Sequence, residues 1–334
     1  MAKIKVAING YGRIGRDLHR QILETDDVEV VVINSRAEAD SHAYLLKYDS
    51  LYGKCDADIE VEGKNLKING KTVYVYQIKE PEDIDWGKHE VDVVIECTGR
   101  FTTKADAERH IKAGAKKVLI TAPCKDKDVH NIVIGVNHKE CPAGECTVVS
   151  NASCTTNCLA PVMKILNDEF TVEACFVTTI HAFTYTQNLL DNSNPEDFRR
   201  ARATTESIIP TSTGAMKAIG RVIPELEGKL DGMAFRVPIP TVSCVDIVAK
   251  LGKDVSVEDL NNIFKKYEEG DMKGVLGTTD EPLVSVDFRG DSRSSIVDLQ
   301  STKVLPGGYV KIIAWYDNEW GYVSRILDLI HWFV

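Results

Sequence analysis

Residues 148–158 read VVSNASCTTNC, which sets Cys154 and Cys158 four apart among hydroxyl and amide side chains. Three chemistries use cysteines in this way: a metal clip, a redox pair, or one nucleophilic thiol. A zinc site needs two more ligands at suitable spacing, and none stands nearby, so no metal is expected. A disulfide between residues i and i+4 of one helix is disfavoured, because the side chains would have to meet across a turn. One reactive thiol remains. The segment SNAS is rich in N-cap residues, and CLAPVMKIL continues with helical spacing at Leu159, Met163 and Leu166. Cys154 is therefore expected at or near a helix start, where free amides and the dipole favour a thiolate. Cys158 is expected to point into packing. Pro161 calls for a kink or a later helix start. Cys97, Cys175 and Cys244 lie in apolar runs and read as small buried hydrophobes.

A nucleophilic thiol needs a base. Of eight histidines, His181 is the best placed, at the end of the strand-like CFVTTIH where a long polar segment begins. His19 and His110 fall on helices and read as solvated faces, and His42 lies in a polar stretch.

A second constellation stands at the N-terminus, where NGYGRIG supplies Gly10, Gly12 and Gly15 between a strand-like and a helix-like segment. Gly10 permits a tight turn, Gly12 lets a pyrophosphate approach the backbone, and Gly15 lets helix pack on strand. The following helix start favours the anion. In this fold a carboxylate at the end of the second strand binds the ribose 2′-hydroxyl of NAD. Here INSRAEAD has Ser35 in that place and Arg36 after it. Both can hydrogen-bond a 2′-phosphate, so NADP is the expected cofactor, with NAD as the alternative or in dual use.

These residues need a frame. A chain of 334 residues exceeds what one core usually absorbs, so two domains are expected. The first part alternates strand-like KIKVAIN (3–9), a helix over 13–24, VEVVVI (28–33), a hairpin over 67–76 turning at Asn69-Gly70, VDVVIECTG (91–99), a helix over 103–114, KKVLIT (116–121) and NIVIGV (131–136). Short apolar strands between helices imply a parallel sheet covered on both faces. Beyond about residue 150 come longer β segments (173–183, 232–239, 242–251), a helix over 257–270, a hairpin-like 295–316 and a final amphipathic helix. That is the pattern of an α+β domain with a mostly antiparallel sheet. Residues 184–207 are expected to form a long functional loop. A net charge of −10 argues against nucleic-acid and anionic-membrane partners, and any anionic substrate must be held by local donors. No segment reads as a signal peptide or a bilayer span. Nine cysteines without a ladder spacing suggest reduced thiols and a cytoplasmic location.

INGYGRIGR, SNASCTTNC, TTIHAFT, RRARATTESIIPTSTGA, GMAFRVPIP and WYDNEWGY, in this order along the whole chain, resemble the phosphorylating glyceraldehyde-3-phosphate dehydrogenases. The resemblance implies a Rossmann domain over 1–152 plus 319–334, a catalytic domain over 153–318, and a homotetramer. It implies Cys154 as nucleophile and His181 as base, with glyceraldehyde 3-phosphate and inorganic phosphate as substrates. Thr184 and Arg236 match donors to the substrate phosphate. Ser153, Thr155, Thr213 and Gly214 match a site for inorganic phosphate, with Arg200 as a basic residue near both anions. Arg13 and Ile14 follow the pyrophosphate turn, Thr98 and Thr121 line the cofactor cleft, and Asn318 and Tyr322 stand beside the nicotinamide. The sequence also departs from the family's pattern. NAD-using members usually carry Asp where Ser35 stands, and Ser193 lies in a loop that approaches a neighbouring subunit's adenosine ribose, where a serine resembles NADP users. Tyr185 and Thr186 replace a common Asn-Asp pair. A relative acting on erythrose 4-phosphate, or a nucleotide-binding or adhesion protein without turnover, are the alternatives.

Overall fold

The computed structural model describes residues 3–142, 144–195 and 197–334. The chain divides into two units, one formed by Met1–Ile132, His138–Ser153 and Val323–Val334, the other by Val133–Asn137 and Cys154–Tyr322.

The first unit is built on a nine-stranded sheet. From one edge the strands are His130–Asn131, Val148–Ser150, Lys117–Ile120, Val93–Glu96, Ile4–Asn9, Val28–Asn34, Lys71–Tyr76, Asn65–Ile68 and Ile59–Glu62. All pairings up to Lys71–Tyr76 are parallel, and the last two are antiparallel. This is the expected Rossmann-type arrangement. The first strand lies centrally between Val28–Asn34 and Val93–Glu96, so the winding reverses there, and ligands bind at the carboxyl ends of strands at such a reversal. The expected turn at Asn69-Gly70 is present, with both residues at positive φ (48° and 78°), as a tight hairpin demands. The expected strand over 131–136 is cut to His130–Asn131. Gly135 turns at φ 82°, and the Asn137 side chain takes the Val133 N–H at 2.8 Å, so the chain curls instead of pairing.

Three histidines read as polar surface are buried. His19 accepts the Tyr11 hydroxyl at Nδ1 (2.6 Å), His42 packs edge-on to the same tyrosine ring, and His110 is fully enclosed beside Glu96. A histidine on a helix is solvated only when its face is, and other elements cover these faces. Burial pushes the His19 pKa down to about 3. A depressed histidine pKa means that the folded state disfavours the proton, so stability is full above the unfolded value near 6.5 and falls as pH drops below it. At about 1.4 kcal/mol per pH unit, His19 alone should cost several kcal/mol between pH 6.5 and 3. Replacement by Gln should flatten the decline in Tm over that window, as measured by thermal melts at stepped pH.

The second unit carries an eight-stranded sheet in the order Ile209–Thr211, Leu230–Val237, Val172–Ala182, Ser243–Leu251, Tyr309–Tyr316, Ser295–Asp298, Leu276–Thr279, with Lys303–Leu305 beside Tyr309–Tyr316. Most pairings are antiparallel, as expected, but Val172–Ala182 runs parallel to Leu230–Val237, and Leu276–Thr279 to Ser295–Asp298. The helix Cys154–Phe170 packs on this sheet with its first half almost wholly buried. It passes through Pro161 without starting later, so the sequence requirement for a break resolves as one missing N–H inside a continuous helix. The helix Val257–Glu269 begins with a reciprocal Ser256–Asp259 capping box. Residues 184–207 contain no helix or strand among the described residues, as expected of a loop. They are tied by Asn192 N–H to Ala201 O (2.9 Å) and by Gln187 Nε2 to Thr204 Oγ1 (2.9 Å).

The expectation of nine reduced thiols fails at Cys141 and Cys146, which form a disulfide across a Cα separation of 6.2 Å, and the other seven cysteines are in no disulfide. No helix among the described residues is long and apolar enough to cross a membrane.

Candidate active site

In the first unit the glycine turn is shaped for an anion. A Cβ on Gly10 would lie 2.7 Å from the Cys97 carbonyl carbon, and φ is 98° there, so only glycine fits between the two central strand ends. A Cβ on Gly15 would lie 2.5 Å from Gly10 O, which holds helix against turn. At Gly12 nothing stands within 4 Å, so the backbone faces open space where the helix Arg13–Ile22 starts without a side-chain cap. Open amides at a helix start suit a pyrophosphate. The Arg13 guanidinium turns away to Asp49 and Asp17, leaving the backbone at Arg13 and Ile14 as what this turn offers.

Ser35 is fixed by its N–H to Tyr76 O (2.9 Å). Arg36 is exposed, and among the described residues neither Glu38 nor Asp40 pairs with its guanidinium. Thr98 is anchored through its N–H (2.7 Å) and hydroxyl to Glu96, and Thr121 through its hydroxyl to Glu96 O (2.9 Å). The Glu96 carboxylate was not singled out from the sequence. It is buried at the end of a central strand and also accepts from Asn9 Nδ2 (2.5 Å) and faces His110 Nε2 (3.2 Å), while Asn34 donates to Asn9 (2.7 Å). Three strand ends are thus locked by one polar network beneath the turn. The only hint in the sequence is a carboxylate closing the otherwise apolar VVIE.

In the second unit Cys154 is the first residue of its helix, and Sγ lies 3.5 Å from His181 Nε2. Parallel pairing puts Arg236 level with His181 on the next strand. His181 Nδ1 is 2.6 Å from both Ala182 O and Arg236 Nη1, and the two cannot both be hydrogen bonds with one tautomer. Arg236 also reaches Ala182 O (3.1 Å); we assign the tautomer in which Nδ1–H donates to that shared carbonyl, which leaves the Nε2 lone pair toward sulfur. Burial pushes the Cys154 thiol up, against the pull of Arg236 and the Thr155 amide and hydroxyl. Burial and then Arg236 push His181 down to about 3. The thiolate expected of the helix start is therefore opposed by desolvation, which favours the proton on sulfur and a neutral imidazole beside it.

Thr155 Oγ1 meets the Tyr316 hydroxyl at 3.0 Å, and the Tyr316 ring packs edge-on to His181. Tyr316 was missed although its strand alternates buried and partly exposed residues and puts position 316 inward. Arg200 donates to Thr211 Oγ1 (2.9 Å) and pairs with Asp197, whereas no carboxylate among the described residues pairs with Arg236. Arg200 is close enough to depress the Arg236 pKa, a secondary effect after burial, so two guanidiniums share a neighbourhood that an anion would relieve. Thr184 and Thr186 join hydroxyls (2.9 Å). Thr213 caps the Ala215 N–H (3.2 Å), and Gly214 opens the helix Ala215–Val222 with no side-chain cap. Asn318 accepts from Ser243 Oγ (2.9 Å) at Oδ1, and Tyr322 is buried in the first turn of the final helix, Trp320–Phe333. Ser153 directly precedes Cys154, and Ser193 is exposed with its N–H on Asn192 Oδ1 (2.8 Å). A thiol, a base and two neighbouring guanidiniums suit covalent chemistry on a carbonyl that carries an anion.

Residues 4–104 match the NAD binding domain, and residues 153–318 the C-terminal domain, of glyceraldehyde 3-phosphate dehydrogenase. The chain is 53% identical to glyceraldehyde-3-phosphate dehydrogenase of Priestia megaterium, covering 98% of this chain and 97% of that protein. The chain belongs to the glyceraldehyde-3-phosphate dehydrogenase family. Similar relatives are glyceraldehyde-3-phosphate dehydrogenase 1 of Bacillus subtilis, at 52%, and the Geobacillus stearothermophilus enzyme of that name, at 51%, each covering 98% of this chain and 97% of its own. As a member of this family the protein is an oxidoreductase that uses a nicotinamide cofactor.

Proposed function

We propose that the protein oxidises D-glyceraldehyde 3-phosphate to 1,3-bisphosphoglycerate with inorganic phosphate, using Cys154 as nucleophile and His181 as base. The observation that carries this reading is the 3.5 Å approach of Sγ to His181 Nε2 beside the Arg236 guanidinium, which pairs with no carboxylate among the described residues. His181 takes the thiol proton as sulfur adds to the aldehyde, and returns it to the new alkoxide to give a thiohemiacetal. The Cys154 backbone N–H and protonated His181 stabilise the developing oxyanion. A bound nicotinamide supplies the acceptor for the C1 hydride. His181 removes the hydroxyl proton in that step, leaving a thioester on Cys154. Ser153, Thr155, Thr213, Gly214 and Arg200 hold inorganic phosphate for attack on that thioester, which forms the acyl phosphate and frees the sulfur. Thr184 and Arg236 hold the substrate phosphate, and that anion offsets the guanidinium charge that otherwise disfavours imidazolium.

Residues 1–152 plus 319–334 bind the cofactor through the Gly10–Gly15 turn, Thr98 and Thr121, with Asn318 and Tyr322 beside the nicotinamide ring. Residues 153–318 carry the chemistry. Ser35 and the unpaired Arg36 favour NADP, and Ser193 points the same way. The intact TSTGA and RRARA segments favour the three-carbon aldehyde over erythrose 4-phosphate. Self-association into a homotetramer is supported by Phe176, Met233 and Val248 exposed on one sheet face, and by exposed Tyr185, Leu189, Leu190 and Phe198 in the 184–207 loop.

Absorbance of the reduced nicotinamide, followed with glyceraldehyde 3-phosphate in the presence and absence of phosphate, tests the reading. A rise that does not depend on phosphate would refute it. Arg36→Ala should lower kcat/KM for NADP by about 1.5–3 kcal/mol, roughly 10- to 150-fold, and barely change NAD. Equal losses with both cofactors would remove Arg36 from the 2′-phosphate.

A further inference from the structure

The ladder between Val172–Ala182 and Ser243–Leu251 stops at Ile180 opposite Cys244. Val242, which would stand opposite Ala182 in that register, leaves the ladder at φ 67°. The Ala182 N–H donates instead to the Ser243 hydroxyl (3.0 Å), and that hydroxyl donates in turn to Asn318 Oδ1 (2.9 Å). Ser243 is 1% exposed, so water does not compete for either bond. A hydroxyl has one proton. With a backbone N–H filling one lone pair of Ser243, its proton is best spent on an acceptor, and the Asn318 amide must present oxygen inward and Nδ2 outward.

We propose that Ser243 is a positioning residue: it sets the orientation of the Asn318 amide so that Nδ2 donates to the carboxamide oxygen of a bound nicotinamide. The same hydroxyl, by accepting the Ala182 N–H, holds the strand next to His181. This rests on the reading above that Asn318 stands beside the nicotinamide. Ser243→Ala removes the constraint, and the amide of Asn318 then turns freely between two orientations of which only one serves.

Titration calorimetry on the intact protein tests this with two probes: the dinucleotide and its matching ADP-ribose fragment, which lacks the nicotinamide. Ser243→Ala and Asn318→Ala should each weaken the dinucleotide by about five- to tenfold, the worth of one hydrogen bond. ADP-ribose should bind all of these proteins equally. In the double variant the loss should equal that of Asn318→Ala alone, because Ser243 acts through Asn318. Multiplying losses, a matching loss with ADP-ribose, or wild-type dinucleotide affinity in Ser243→Ala would each overturn the proposal. If Ser243→Ala does not fold, Ser243→Cys keeps a weak donor of similar size and should show the same selectivity at reduced size. A wild-type protein that binds ADP-ribose and gains nothing from the nicotinamide would defeat the underlying placement of Asn318 itself.

Discussion

Cys154→Ser should lower turnover of glyceraldehyde 3-phosphate by at least about 10⁴-fold while leaving Tm nearly unchanged. A serine hydroxyl fits where the thiol stands and can still contact His181, so packing is preserved. Its oxygen is a far weaker nucleophile at neutral pH, and an ester gives up its acyl group to phosphate less readily than a thioester. Cys158 offers no substitute: it is buried, faces Ser295 Oγ at 3.5 Å, and burial pushes its thiol well up. Mass spectrometry after mixing with substrate should find an acyl adduct on wild type and none on the variant. Residual turnover above about one per cent in Cys154→Ser would mean that the nucleophile lies elsewhere.

His181→Asn should lower kcat by about 10²- to 10⁴-fold, the usual worth of a positioned base. The pH dependence is the sharper readout. Because burial and then Arg236 hold His181 well below its ordinary value, its imidazole stays neutral through the range from pH 5 to 8, with a ring nitrogen open to a proton. The Cys154 thiol is pushed above its ordinary value, so without His181 only bulk deprotonation can supply a thiolate. The variant's rate should therefore climb about tenfold per pH unit up to pH 9, whereas wild type should be much flatter. Alkylation by iodoacetamide at pH 7 should slow in the variant for the same reason. Parallel pH profiles in the two proteins would show that His181 does not accept the thiol proton.

Both experiments concern groups that were visible as types in the sequence and became a site only through pairing. His181 and Arg236 are 55 positions apart and meet because two strands run parallel at that register. Parallel pairing between distant segments leaves no local trace, so spacing could not announce it. Tyr316, Ser243 and Glu96 were missed for a related reason. A hydroxyl or carboxylate acquires a role when burial leaves it one partner, and burial depends on what packs above it. The buried histidines show the opposite error: at positions 19 and 110 a polar side chain on a helix reads as a wet face, and at 42 a polar stretch reads as surface.

Local physics was enough to settle other features from the residues alone. Gly10, Gly12 and Gly15 at a strand–helix junction, the Asn69-Gly70 turn, and the helix start at Cys154 are choices of backbone conformation, and such choices are written within a few residues. What the tertiary structure decided was electrostatic. Whether sulfur or imidazole holds the proton depends on how much water is excluded around them and on the guanidinium brought alongside, and solvation is a property of the packed whole.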